Sequence, residues 1–266
     1  MMLFPKMKPK PLPEILWPAP NLPVPRLGKT DVHLWTACLD EFSQFISVVE
    51  PALFPDEKSR ASRFKLERHR DRFVIQSGLL RYLLSQYLEV APSEHSFKRG
   101  GHGKPELVTA PGGEPLYFNV SHSDSMVLYA ITQATAIGVD IERVRTIDDL
   151  DEIARRFFTP GETAALRALG FEERLVGFFN CWTRKEAVLK ATGEGITGGL
   201  DIVEVTLKPG GPAQVLNTRG GAEDINHWSL HPLAPVTGYV ATLAHQGPPL
   251  ELKCWAVPLA ILKRRL

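Results

Sequence analysis

The spacing of apolar residues changes several times along the chain, and each change marks an element. Val32, Leu34 and Thr36 alternate with His33 and Trp35, the two-residue period of a strand opening at Asp31. Over about 56–89 the spacing lengthens to three and four, through Phe73, Gln76, Leu80, Leu83, Leu84 and Tyr87, which predicts one long helical region. A basic cluster of Lys58, Arg60, Arg63 and Lys65 lies near its start. Residues 98–105, Lys-Arg-Gly-Gly-His-Gly-Lys-Pro, read as a loop, and a second glycine pair follows at Gly112 and Gly113. Strands are predicted near 116–120, 126–132 and 136–141, and helices over 147–158 and 172–192. Further strands are predicted near 202–207, 227–231, 237–244 and 250–257.

The order of elements nearly repeats: an opening strand, helices, then a run of strands, twice. The predicted fold is α+β, a pseudo-dimer of two similar α/β lobes at 30–135 and 136–266. A site in the cleft between them is the expected arrangement. Residues 1–29 are proline-rich and cannot hold a helix, so they form an arm, loose or strapped over the body. A role as a proline-rich ligand is the rival reading.

Composition narrows the classes. Hydrophobic residues make up 44% and charged residues 23% of the 266 positions, ordinary for a globular chain. No apolar run approaches the roughly 20 residues of a spanning helix, so no membrane partner is expected. Thirty-one Lys and Arg against 30 Asp and Glu leave a net charge of +1. With no global field there is no reason to expect nucleic acid, and any anion site must be local. Cys38, Cys181 and Cys254 show no CxxC spacing, which argues against a disulfide framework or structural zinc. With no apolar leader, the expected location is the cytoplasm.

Ile137-Gly-Val-Asp-Ile-Glu142 carries the first chemistry. On a strand Ile137, Val139 and Ile141 form an apolar row, and Gly138, Asp140 and Glu142 form the other. That row reads as a wet polar face, or as two carboxylates within reach of one ion beside a glycine that leaves room. The later helix places Glu186 in one stripe with Leu175, Phe179, Trp182 and Leu189. Glu186 either pairs locally with Lys190 or faces Asp140 and Glu142, where a cation would make three carboxylates tolerable. All-oxygen ligands suit Mg²⁺ or Mn²⁺. Phe118-Asn-Val-Ser-His-Ser123 offers donors at a strand end, and Lys104 with Arg99 and His102 offers charge in a glycine loop. Structural and solvated roles stand beside those readings for His122 and for Arg60 and Arg63.

In order, Gly103-Lys-Pro105, Phe118–Ser123, Gly138–Glu142, Arg156-Phe-Phe158 and Trp182-Thr-Arg-Lys-Glu-Ala-Val-Leu-Lys190 resemble the 4′-phosphopantetheinyl transferases, specifically the long, surfactin-synthetase-activating type. The family's G-[VI]-D-x-[ED]-like strand and W-x-x-K-E-[AS]-x-x-K helix both stand here nearly complete, and the likeness spans about residues 31–205. The resemblance implies coenzyme A between two lobes and Mg²⁺ on Asp140, Glu142 and Glu186. It implies catalytic roles for Asp140, Glu186 and Lys190. His122, Lys104 and Arg60 would meet the nucleotide's phosphates, while Arg99, Asn119 and Ser121 line the same pocket. The implied reaction moves phosphopantetheine to a serine of an apo carrier protein of fatty-acid, polyketide or peptide synthesis and releases 3′,5′-ADP. The length suggests a monomer. The rival is a non-catalytic module that binds coenzyme A or a nucleotide and docks carrier domains.

Overall fold

The computed structural model describes residues 14–88, 90–100, 104–108, 114–193, 199–218, 221 and 225–263. Strand β1 (Asp31–Cys38) is followed by short helices α1 (Ile46–Val49) and α2 (Pro55–Ala61), then by α3 (Glu67–Leu88). A small hairpin, β2 (Phe97–Arg99) and β3 (Pro105–Leu107), precedes β4 (Tyr117–Ser123), β5 (Met126–Thr132) and β6 (Ile137–Arg143). Three helices come next: α4 (Leu150–Phe157), α5 (Pro160–Ala168) and α6 (Phe171–Thr192). Strands β7 (Glu204–Val205), β8 (Val215–Asn217), β9 (Trp228–Leu233), β10 (Tyr239–Gln246) and β11 (Glu251–Ala256) complete the order. No helix among the described residues is long and apolar enough to cross a membrane.

The repeat of element order is a repeat of topology. The first sheet contains the order β1-β5-β4 and the second is β6-β10-β9, each an opening strand flanked by its own hairpin. One 22-residue helix covers each sheet. Helix α3 packs Val74, Ile75, Leu79 and Leu83 against Trp35, Tyr129 and Ile131. Helix α6 packs Phe178, Val188 and Leu189 in a core shared with Leu230 and Ala244. The other faces of the two sheets form a third core, with Val32, Leu34, Leu128 and Ala130 against Ile137, Val139, Ile141 and Leu243. The α+β architecture expected from the sequence is therefore present, with β1 and β5 buried on both faces.

Two segments tie the halves together. Strand β11 runs parallel to β1 and extends the first sheet, although it lies within 136–266. The arm is strapped where it is described. Ile15 bridges Val236, the Ala256 amide donates to Pro18, and Val24 and Leu27 pack on the first core. Residues 1–13 lie outside the described residues.

Several boundaries differ from the sequence pattern. The region 56–89 is two helices, because residues 62–69 are exposed and offer no apolar face to continue the packing. The pattern over 98–105 includes the ends of a two-stranded hairpin, while Gly101, His102 and Gly103 lie outside the described residues, as do Gly112 and Gly113. Helix α5 was not predicted. Its start is legible in retrospect: Thr159 accepts from the Glu162 amide, Glu162 answers to the Thr159 amide, and Pro160 takes the first helical position. Strand β8 was also missed, being too short to show a period.

Glu162 does more than cap. It pairs with Lys185 of α6 at 2.5 Å, both side chains buried, and accepts the Val205 amide at 2.8 Å. Lys185, the first lysine of the family-like helix, thus fastens α5 and β7 to α6. Removing one member of a buried ion pair strands the other charge, at a cost of about 3–5 kcal/mol. Lys185→Ala is expected to lower the melting temperature sharply, and Lys185→Ala/Glu162→Gln, which removes the stranded charge and keeps an acceptor, to regain part of the loss. A single variant that melts like the parent would show that this pair holds nothing together.

Candidate active site at the seam of the two sheets

Strand β4 is the edge of the first sheet and β6 the edge of the second. They meet through side chains. Asn119 Oδ1 accepts the Val139 amide at 2.8 Å, Ser121 Oγ the Ile141 amide at 3.4 Å, and Ser123 Oγ the Arg143 amide at 3.1 Å. Alternate residues of β4 therefore stand in for a neighbouring strand's carbonyls. The register is constant, twenty positions apart each time.

The same two hydroxyls donate onward. Ser121 donates to Asp140 Oδ1 at 2.7 Å, and Ser123 to Glu142 Oε2 at 2.6 Å. Asp140 is buried beneath α6, and Glu142 is half-buried at the strand's end. Gly138 leaves room, but for the helix: a Cβ there would lie 2.0 Å from the Ala187 carbonyl oxygen. That close approach brings Glu186 and Lys190 over the carboxylate row. Gly193, in the left-handed region at φ 78°, then ends the helix.

Lys190 Nζ lies 2.6 Å from Asp140 Oδ1 and 3.1 Å from Ser121 Oγ. The ion pair thus runs between helix and strand; the local Glu186–Lys190 pair is not the arrangement adopted. Glu186 is buried, 4% exposed, with Oε1 lacking a hydrogen-bond partner, and Asp140 Oδ2 is likewise orphaned. Burial first, then the nearby Asp140 charge, pushes the Glu186 carboxyl from 4.5 up to about 7, with Lys190 opposing. Glu142 is raised by burial too, with Asp140 adding and Ser123 opposing.

The three carboxylates feel one another, yet no three His, Cys, Asp or Glu side chains among the described residues converge into an ion-holding cluster. The cation nearest Asp140 is the Lys190 ammonium. The donor chemistry still suits a hard divalent ion: two buried carboxylate oxygens lack partners, and Mg²⁺ keeps much of its shell for water and phosphate.

The expected phosphate ligands fall into two groups. Asn119 and Ser121 spend their oxygens on the β6 backbone, Ser121 also on Asp140. Lys104 donates to the Ile137 and Lys190 carbonyls at 2.9 and 2.6 Å, clasping the start of β6 and the last turn of α6. Burial lowers it to about 8. His122 points to the opposite face of β4 and is exposed. Desolvation by its surroundings depresses its pKa, followed by the Lys190, Arg60 and Arg72 charges, so these cations share one neighbourhood. Arg60 stacks over Phe73, 5.0 Å from the ring centroid, beside a recess of about 330 Å³ lined also by Phe97, Lys98 and Val120. Arg99 ends β2, but its side chain lies outside the described residues. A larger recess of about 620 Å³ lies apart from this chemistry, between Ile147–Leu150 and the start of α6.

Sequence reasoning missed Asp124, Arg72 and Arg143, and placed Ser123 in a donor-rich strand end without a role of its own. Asp124, at φ 52° in the β4–β5 turn, takes Arg72 of α3 at 3.0 Å and also Arg143 of β6. A signal for Ser123 was present: Ser-x-Ser has the spacing of Asp-x-Glu.

Comparison with known proteins gives the family. A family model for the 4′-phosphopantetheinyl transferase superfamily matches residues 136–244, and one for the 4′-phosphopantetheinyl transferase N-terminal region matches 33–134. The chain is 38% identical over 236 residues to 4′-phosphopantetheinyl transferase HetI of a Nostoc species, covering 89% of this chain and 95% of that protein. It is 29% identical over 176 residues to 4′-phosphopantetheinyl transferase Sfp of Bacillus subtilis, covering 66% of this chain and 74% of the relative. A putative 4′-phosphopantetheinyl transferase of Synechocystis is 37% identical over 178 residues, 67% of this chain and 70% of the relative. The chain belongs to the 4′-phosphopantetheinyl transferases, enzymes that move phosphopantetheine onto carrier proteins.

Proposed function

We propose that coenzyme A is the donor, that the acceptor is a serine of an apo acyl, peptidyl or polyketide carrier, and that 3′,5′-ADP leaves. The observation that carries the reading is Lys190 meeting Asp140 and Ser121 at the seam, with Glu186 buried beside them. A Mg²⁺ ion, with Mn²⁺ as an alternative, is proposed at Asp140, Glu142 and Glu186. When bound, it would neutralise oxygen charge on the pyrophosphate and polarise phosphorus.

The residues divide the remaining work. The recess at Arg60, Phe73 and Lys98, with His122 nearby, is proposed to take the nucleotide and its 3′-phosphate. Arg99, Lys104, Asn119 and Ser121 stay within the proposed pocket, the last three as its framework. Glu186, buried beside Asp140 and Lys190, is proposed to accept the serine proton as the serine oxygen bonds to phosphorus. The pyrophosphate P–O bond breaks, and the Lys190 ammonium stabilises the departing phosphate. The site is proposed to lie in a cleft between lobes 30–135 and 136–266, in a cytoplasmic monomer. A pure binding module would have no use for a buried, unpartnered Glu186.

Incubation with coenzyme A, Mg²⁺ and an apo carrier is expected to raise the carrier's mass by one phosphopantetheine. Chelation by EDTA, or Asp140→Ala with the fold retained by circular dichroism, is expected to abolish the gain. Turnover undiminished in EDTA would remove the metal from the reading.

Glu186→Gln tests the proton role. With its pKa raised from 4.5 to about 7, the folded state binds more protons than the unfolded state between those values. The metal-free protein should therefore lose stability as pH rises from 4.5 to about 7, by roughly 3 kcal/mol from this group, with Glu142 adding in the same direction. Gln should flatten that part of the melting-temperature profile and lower transfer by about 10²-fold or more. Near-parental kcat would take Glu186 out of the chemistry.

A further inference from the structure

The site contains the same small device twice. Ser121 accepts one β6 amide and donates to Asp140; two residues on, Ser123 accepts the next outward amide and donates to Glu142. Each hydroxyl is held at one end by a backbone group that cannot move without β6, so its proton is aimed at a single carboxylate oxygen.

Glu142 has a competing partner. Arg145 Nη1 stands 3.9 Å from the oxygen that Ser123 contacts at 2.6 Å, and the Arg145 side chain is 60% exposed. Both approach the same carboxylate oxygen, Ser123 at hydrogen-bond distance and Arg145, whose guanidinium also lies over the Phe179 ring, beyond it. The position of Ser123 is fixed from both lobes. Its neighbour Asp124 is gripped by Arg72 from α3 and by Arg143 from β6, and the Arg143 amide is the one Ser123 accepts. A half-buried carboxylate with two partners on one oxygen takes its orientation from the shorter, better-anchored contact.

We propose that Ser123 is a positioning residue for phosphopantetheine transfer, holding the Glu142 carboxylate in the orientation that binds the divalent ion. The inference rests on the metal reading given under Proposed function. Partners that orient a ligating side chain change metal affinity or activity by about 10–100-fold when removed. Ser123 touches neither donor nor acceptor in this scheme, so its loss should leave the recognition of coenzyme A alone.

The test is a Mn²⁺ titration followed by electron paramagnetic resonance of the free ion, with coenzyme A present, on the full chain and on Ser123→Ala and Ser123→Thr. The expected result is Mn²⁺ binding weakened about tenfold or more in Ser123→Ala and restored to within about twofold in Ser123→Thr, which keeps the hydroxyl. Steady-state kinetics should show lower kcat at limiting metal, with KM for coenzyme A unchanged once metal is saturating. Equal Mn²⁺ affinity in the parent and Ser123→Ala overturns the proposal and leaves the metal site standing. Equal weakening in Ala and Thr overturns it as well, because the hydroxyl is then not the agent. No Mn²⁺ binding by the parent overturns the metal reading itself, and this inference with it. Should Ser123→Ala not fold, Ser123→Cys, similar in size but a weak donor, takes its place.

Discussion

An edge strand must put its outward amides somewhere, and in this protein that requirement decides where the chemistry stands. Strand β6 has β10 on one side and, on the other, the side chains of β4. A backbone neighbour would sit about 4.8 Å away and fuse the two sheets into one. Short polar side chains keep the sheets separate, satisfy the amides and leave hydroxyl protons to spare. Those protons go to Asp140 and Glu142. Structural satisfaction and site orientation are thus one set of hydrogen bonds.

Helix α6 closes the arrangement from above, and its family-like residues split in function. Glu186 and Lys190 face the carboxylate row, while Lys185 points away into a buried pair with Glu162. Consecutive positions on the helix thus hold a residue that fastens α5 and β7 and one proposed for proton transfer. The glycine opposite, Gly138, sets the distance between the two elements, since any side chain there would meet the helix backbone.

Much of this was legible in the sequence because periodicity and signature residues are local facts. The alternation from Ile137 to Glu142 gave the two faces of β6, and the stripe through Phe179, Glu186 and Leu189 picked out buried positions of α6, although residues 183–189 are buried on every side. The long-range contacts were not legible. Nothing local says that Lys190 reaches Asp140, fifty residues earlier, or that Lys104 spends its charge on two carbonyls of the other half. Donor-rich segments such as Asn-Val-Ser-His-Ser read as ligand sites because a sequence does not show which backbone amides lack partners. Helix α5 shows a different failure: its capping signal was complete, but a nine-residue helix gives the period too little length to stand out.

The parallel pairing of β11 with β1 has a bearing on how the chain comes into being. The first sheet takes its outermost strand from residues 251–256, and Val257, Ile261 and Leu262 finish the core beneath α3. On a ribosome the first half emerges early and then waits, its β1 edge unpaired, until residues 251–256 have been made. An unpaired edge of that kind is a template for foreign strands. Completion of the first sheet therefore waits on the synthesis of β11, and a nascent chain halted before β11 presents an open strand edge in place of a finished sheet.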